Sequence, residues 1–99
     1  MNRLELDAAV MEREIVRYTP AGIPMLGVLL QHQSSVTEAG RARQVQMTLP
    51  ALVAGGLVDA VQRLDLGSPV RFSGFLAPKR QNARTLVFHI TELQDIGKD

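Results

Sequence analysis

TPAGIP, residues 19–24, places two prolines and a glycine between two runs of apolar residues. Proline fixes φ near the value needed at the second position of a type I or II turn, and the glycine two residues later supplies φ > 0. Pro24 then stands where a strand can begin, because its missing N–H costs least at a strand's first residue. The stretch predicts a sharp chain reversal that leads into a strand.

The segments on both sides of this corner have the alternation of strands. Residues 4–16 begin as alternating apolar and polar positions and change phase at Val10, which predicts a long strand with a bulge or bend. A helix is the alternative there, because residues 11–16 contain good helix formers. Residues 25–33 then place Leu26, Val28, Leu30 and His32 on one face. The turn between the two segments favours strands for both.

The middle of the chain predicts a loop and a third strand. Residues 34–42 are small and polar and include a glycine, which is typical of a loop. Residues 43–49 alternate three inward apolar residues with Gln44, Gln46 and Thr48, so the outer face is polar but uncharged. Pro50 and the Gly55-Gly56 pair are expected to end this strand.

The last third of the chain predicts a short helix and two strands. Apolar residues stand at helical spacing in 57–67, with Gly67 as a stop signal. Residues 68–77 and 85–93 alternate as strands, and a basic loop, residues 78–84, joins them.

The predicted fold is therefore mainly β, with one short helix between strands 3 and 4. This element order is that of the five-stranded OB-fold barrel, whose strands and flanking loops bind single-stranded nucleic acid. A chain of 99 residues, 45% hydrophobic and 21% charged, suits an ordinary globular domain. Residues 1–99 are expected to form that single domain.

Several classes of protein are not expected from this composition. The chain has no cysteine, which leaves neither a disulfide framework nor a thiolate metal site. Charged residues interrupt the amino-terminal segment, and no apolar run has the length of a membrane span. We expect a soluble protein of the cytoplasm that has no membrane partner, no metal and no cofactor.

Positive charge is concentrated although the net charge is only +1. Two stretches lack acidic residues: the one between Glu38 and Asp59, and the one between Asp65 and Glu92. They contain Arg41, Arg43, Arg71, Lys79, Arg80 and Arg84. Clustered cations favour a polyanionic partner, and the alternative is ordinary solvated surface charge.

Five short stretches resemble one family. They are NRLEL (2–6), RYTPAGIP (17–24), QHQS (31–34), EAG (38–40) and SGFLA (73–77). Together they resemble bacterial primosomal replication protein N (PriB), a family related to the single-stranded DNA-binding proteins. The TPxGxP corner is shared by both groups. The chain length, the GFLA strand and the short end at Lys98 and Asp99, without a long acidic tail, favour the primosomal family.

The resemblance implies a homodimeric barrel that binds single-stranded DNA and the primosomal helicase. It implies a non-enzymatic accessory of replication restart, which works with helicase-loading proteins at stalled forks. Two alternatives remain open at this point. One is a protein-interaction module of the primosome with weak affinity for single-stranded DNA, and the other is a general single-stranded DNA-binding protein.

The candidate DNA-binding residues fall into three roles. Cations in loops are expected to neutralise phosphates, a basic and an aromatic residue to approach the strand at the corner, and amides to line its path. In that order the residues are Lys79, Arg80, Arg84, Arg41 and Arg43; Arg17 and Tyr18; and Gln33, Gln44 and Gln46.

Aromatic residues for base stacking are few. Phe72 and Phe88 share the phase of the core positions, so only Tyr18 and Phe75 are left to present a ring, and Phe75 has a dimer interface as its alternative role. Compared with the family, Gln46 replaces an aromatic residue that some members carry, and Gln33 replaces an arginine. Weak, salt-sensitive binding is therefore expected.

The remaining polar residues give no sign of catalysis. His32 and His89 are each isolated and are expected to be structural. Ser34, Ser35, Ser68 and Ser73 lack the glycines of a nucleophile elbow. Apolar residues at strand edges, such as Leu29 and Val87, are expected to be covered by the second copy of a dimer.

Overall fold

A computed structural model describes residues 1–97. The chain end at Lys98 and Asp99, whose shortness favours the primosomal family, lies outside the described residues. In the part of the chain that is described, no helix is long and apolar enough to cross a membrane.

The TPAGIP corner is the predicted turn. The amide of Gly22 donates to the carbonyl of Thr19 over 2.8 Å, with Pro20 at the second position, and Gly22 has φ of +85°. The Thr19 hydroxyl also accepts a hydrogen bond from the amide of Ile23 at 3.1 Å. The chain reverses here and β3 begins at Pro24, as the sequence predicts.

Residues 1–97 form six strands, and five of them are long. The elements are β1 (Leu4–Arg13), β2 (Arg17–Tyr18), β3 (Pro24–Glu38), β4 (Arg41–Ala54), a 3₁₀ turn (Gly55–Leu57), α1 (Val58–Gln62), β5 (Val70–Pro78) and β6 (Leu86–Asp95). The two-residue strand β2 immediately precedes the TPAGIP corner and is additional to the five predicted strands. The short helix stands between the third and fourth long strands, as predicted.

The sheet closes on itself, which confirms the barrel. Its strand order is β1-β5-β6-β4-β3-β2, and a further pairing of β1 with β3 completes the ring. All neighbours are antiparallel except β4 and β6, which run parallel over Ala51–Val53 and Phe88–Ile90. In β1 the register shifts between Val10 and Glu12. This is the bulge that the change of phase predicts, so the helical alternative for residues 11–16 is wrong.

The core lies inside this ring and under α1. Its fully buried side chains come from every long strand and from α1: Val10, Leu26, Leu30, Val53, Val61, Val70, Phe72 and Phe88. Burial of aliphatic and aromatic surface from alternating positions is the main source of stability for such a barrel. The placement of Phe72 and Phe88 in the core is confirmed.

The loop predicted over residues 34–42 is wrong. β3 and β4 continue as one hairpin in which Glu38 pairs with Arg41, and only Ala39 and Gly40 form the turn. Both turn residues have positive φ, +53° and +77°, which is the conformation that links twisted strands through a two-residue type I′ turn. We call residues 33–46 the β3–β4 arm.

The predicted end of the third strand at Pro50 is also wrong. β4 runs through Pro50 to Ala54. Upstream of Ala51, β4 pairs with β3 alone, and proline is tolerated in a strand that has a neighbour on only one side.

Candidate nucleic-acid interface

The three candidate glutamines share the outer face of the β3–β4 arm. Gln33 stands opposite Gln46, and Ser35 stands opposite Gln44. The amide of Gln44 donates to the Ser35 hydroxyl at 3.3 Å. Gln33 and Ser35 lie in the phase of β3 opposite to the buried positions Leu30 and His32. Gln46 and Gln44 stand on the same face, because they pair with these two residues across the hairpin. The arm therefore presents an uncharged wall of hydrogen-bonding groups to solvent.

Arg41 and Arg43 lie in β4 near the end of the arm, in the opposite phase from Gln44 and Gln46. Because side chains alternate between the two faces of a strand, the arginines and the glutamines leave the arm on different faces. Arg43 donates from Nη1 to Oε1 of Glu38 at 2.8 Å. In residues 1–97, no carboxylate lies within 4.0 Å of the guanidinium of Arg41.

Lys79, Arg80 and Arg84 lie on the turn between β5 and β6. The amide of Lys79 donates to the carbonyl of Thr85 at 2.8 Å, and the amide of Ala83 donates to the carbonyl of Arg80 at 2.9 Å. Leu86, which follows this turn, is two residues before Phe88, the first residue of β6 that pairs with β4, at Ala51. The turn therefore lies just beyond the stretch over which β4 and β6 pair. Within residues 1–97, these three cations have no ion-pair partner.

Arg17 and Tyr18 stand far from the glutamines. Arg17 pairs with Met25 and Tyr18 with Pro24, at the start of β3, whereas Gln33 is eight residues further along the strand. At about 3.3 Å per residue this separation is roughly 26 Å. Tyr18 is 69% exposed. The structure therefore separates the candidates into three regions: arm, turn and corner.

Several other arginines are engaged within the protein. Arg13 donates to the carbonyls of Val61 and Leu64 and so ties β1 to α1. Arg71, which the sequence counts among the clustered cations, makes two hydrogen bonds to the carboxylate of Asp7, at 2.7 and 3.0 Å. The hydrogen bond from Arg71 lowers the pKa of Asp7, and the same contact raises the pKa of Arg71. Residues that lack nearby acids in sequence can still meet them across a sheet.

The two histidines have different surroundings. His32 is buried, with Nδ1 2.6 Å from the carbonyl oxygen of Asp7 and Nε2 2.8 Å from the hydroxyl of Ser34, so its role is the predicted structural one. His89 is half-buried on the outer face, where its ring stacks on Phe75 with centroids 4.8 Å apart and planes 5° apart. No cluster of three or more potential metal ligands occurs among residues 1–97.

The Phe75–His89 stack is a feature that the sequence analysis missed. Both residues are out of phase with the buried positions of their own strands, and that shared phase was the available signal. Their contact depends on the register of β5 and β6, which pairs Phe75 with His89. A bulge between Ser73 and Gly74 shifts this register and could not be located from the sequence pattern.

The chain is similar in sequence to several characterised proteins. A family model described as another single-strand binding protein family matches residues 2–92. Replication restart protein PriB of Bordetella pertussis is 41% identical over 97 residues, which cover 98% of this chain and 91% of that protein. Replication restart protein PriB of Vibrio vulnificus is 38% identical over 95 residues, covering 93% and 95%.

The chain is also similar to solved structures, one of which belongs to the PriB family. PriB of Ralstonia solanacearum is 42% identical, covers 97% of this chain and 98% of its own, and superposes with a TM-score of 0.87. The wild-type single-stranded DNA-binding protein of Thermus aquaticus is 19% identical, covers 97% of this chain and 50% of its own, and has a TM-score of 0.73. At that identity the second likeness concerns the fold alone, which is the predicted OB-fold barrel.

Proposed function

The chain belongs to the single-strand binding protein family and, within it, to the family of replication restart protein PriB, and on that premise we propose that it binds single-stranded DNA as a non-enzymatic accessory of the replication restart primosome. Its partners in this proposal are single-stranded DNA, the primosomal helicase and helicase-loading proteins, and its place is the cytoplasm. No cofactor is required for such a role.

One observation carries the proposal. Lys79, Arg80 and Arg84 sit on one exposed turn without ion-pair partners among residues 1–97, and the outer face of the arm carries uncharged amide side chains. Cations that are free of internal partners can meet phosphates without breaking existing contacts, and the release of counterions then drives binding. Uncharged amides such as Gln33 and Gln46 can meet sugars and base edges along the same face.

The proposed binding depends strongly on salt. For single strands, the slope of log K against log salt is about −0.7 for each neutralised phosphate. Titration of a fluorescent oligothymidine by anisotropy at several salt concentrations measures this slope. A steep decline in affinity is expected, and binding that is independent of salt would contradict the electrostatic proposal.

A protein-interaction module with residual DNA affinity is the second candidate function. The observation in its favour is the absence of an aromatic residue from the outer face of the arm, where Gln33 and Gln46 stand. The double variant Lys79→Glu/Arg80→Glu separates the two candidates. If the protein is a DNA-binding accessory, the variant loses affinity for single-stranded DNA sharply and still binds the helicase. Among single variants, Arg63→Glu is the matched control for Arg80→Glu. It reverses the same charge at a residue that lies beyond α1 and contacts Asp59.

The homodimer is part of the proposal. Residues 4–8 of β1 pair with β5 on one side, while β1 pairs with β3 only from Ala9 onward. In the described residues 1–97, the second edge of residues 4–8 has no strand partner, and such an edge can pair with a second copy. Sedimentation equilibrium is expected to give a dimer. Tetramers or cooperative coating of long DNA would instead favour a general single-stranded DNA-binding protein.

A further inference from the structure

An uncharged groove lies on the outer face of the barrel between the β5–β6 turn and the TPAGIP corner. The Phe75–His89 stack forms one side of it, and Leu52 and Met25 form the other. The groove encloses about 510 Å³, and none of the side chains that line it is acidic or permanently basic.

The groove lies on the same face as the glutamine wall. Along β4 the outward positions run from Gln44 and Gln46 through Thr48 and Pro50 to Leu52, which pairs with His89. On the other side of the groove, Met25 pairs with Arg17, so that arginine shares the outer face. The groove therefore fills the gap between the cations of the turn and the cation of the corner.

Phe75 is placed to present a ring at this position. It is 37% exposed, and one of its ring faces is supported by the parallel ring of His89. It lies four residues before Lys79 on an extended strand, about 13 Å away. A ring that is fixed by a neighbour loses little conformational freedom when a flat ligand stacks on it.

We propose that Phe75, supported by His89, is a base-stacking site, and that a nucleobase of single-stranded DNA occupies the groove while the turn cations hold the adjacent phosphates. This inference rests on the proposed DNA-binding function and supplies the aromatic surface that the glutamine wall lacks. The occupant is a nucleobase because the lining is mostly apolar and has no acidic or permanently basic side chain, while the cations of the turn suit phosphates.

Glu14 bounds the site on the side of β3. Its carboxylate covers Gly27, where a side-chain Cβ would meet Glu14 Oε1, and Gly27 stands opposite Leu52. A phosphate next to this carboxylate would be repelled. The phosphates of the bound strand therefore run along the β5–β6 side, where Lys79, Arg80 and Arg84 are.

The test compares Phe75→Leu with wild type and with Lys79→Ala. Leucine keeps apolar bulk but offers no ring, so affinity for oligothymidine is expected to fall about five- to 100-fold while the salt slope stays unchanged. Lys79→Ala is expected to reduce the slope by about 0.7. Leu66→Ala is the control for loss of exposed apolar surface away from the groove, because Leu66 is 57% exposed and does not line it; affinity is expected to stay at the wild-type value.

Photocrosslinking of the wild-type protein gives a measurement that does not depend on a variant folding. An oligothymidine with 5-iododeoxyuridine substitutions is irradiated in the complex, and crosslinked peptides are identified by mass spectrometry. Adducts on Phe75 or His89 are expected. Adducts confined to other residues, or unchanged affinity in Phe75→Leu, would overturn the stacking site while leaving the DNA-binding function intact.

Two further outcomes also have a defined meaning. If Phe75→Leu converts a dimer to monomers in sedimentation equilibrium and wild-type crosslinks avoid the groove, the groove is an interface between copies and the stacking site is overturned. If wild-type protein binds no oligothymidine even at low salt, the proposed function itself fails, and the stacking site fails with it.

Discussion

β3 and β4 contribute to both the barrel body and the β3–β4 arm, but the two regions are stabilised differently. In the barrel, Leu26, Leu30 and Val53 are fully buried. In the arm, inward-phase residues remain in contact with solvent: Val36 is 45% exposed, and Met47, next to the arm, is 38% exposed. Backbone pairing and exposed side-chain hydrogen bonds, rather than a buried core, thus extend the two strands. The comparison separates a part that keeps the protein folded from a part that is free to contact a ligand.

The largest expected effect is in the barrel. Phe72→Ala removes a fully buried ring and is expected to lower the free energy of unfolding by about 3–5 kcal/mol. Val36→Ala, in the arm, is expected to change it by less than about 0.5 kcal/mol. Urea denaturation followed by circular dichroism measures both. Equal losses would show that the arm belongs to the same cooperative core and would break the comparison.

The next effect concerns the two arginines of the arm. Arg41 has no carboxylate partner among residues 1–97, whereas Arg43 is paired with Glu38. Arg41→Gln is expected to weaken binding of oligothymidine roughly three- to tenfold at low salt and to reduce the salt slope by about 0.7. Arg43→Gln is expected to have a smaller effect, because part of its charge already faces Glu38.

Glu38→Gln sharpens this second prediction. It removes the partner of Arg43 and is expected to strengthen binding, by less than about fivefold because the pair is exposed and weak. Anisotropy titrations of the three variants side by side provide the measurement. If Arg41→Gln and Arg43→Gln behave like wild type, phosphates do not reach the arm.

A smaller effect is expected at the arm's turn. Ala39 has φ of +53°, a conformation that costs alanine about 1 kcal/mol and that asparagine adopts more readily. Ala39→Asn is expected to slow amide hydrogen exchange in the arm while leaving exchange in the barrel unchanged. Faster exchange in the arm would mean that the turn does not limit its order.

The smallest expected effect concerns acid stability. The pKa of Asp7 is lowered by its hydrogen bond from Arg71, so folding favours the ionised carboxylate. Its contribution is present above the unfolded value of about 3.9 and is lost as pH falls through the lower folded value. Asp7→Asn is expected to reduce thermal stability slightly at pH 7, and the difference from wild type should vanish towards pH 2. A difference that persists there would assign it to another cause.

The barrel was predictable because its residues carry the pattern that a core imposes. The alternation from Leu26 to His32, the change of phase at Val10 and the turn at Pro20 and Gly22 each correspond to one structural feature. The arm was not predictable in this way. Its strands have no core to face, so Ser34 and Ser35 resemble a loop although their backbone is extended.

The candidate site was predictable in composition more than in arrangement. The charges of Lys79, Arg80 and Arg84 were visible in the sequence, and so was the uncharged character of Gln44 and Gln46. The pairing of Arg71 with Asp7 was hidden, because it joins strands 64 residues apart. Contacts of this kind depend on sheet register, which a bulge can shift without changing the apolar pattern.

The central claim is that single-stranded DNA follows the outer face of β3 and β4 past the cationic β5–β6 turn. A titration of isotope-labelled protein with a short oligothymidine, followed by amide chemical shifts, tests it most directly. The largest shifts are expected at Gln33, Gln46, Lys79 and Arg80, with little change in α1. Shifts concentrated in α1, or absent from both the outer face of β4 and the β5–β6 turn, would contradict the account.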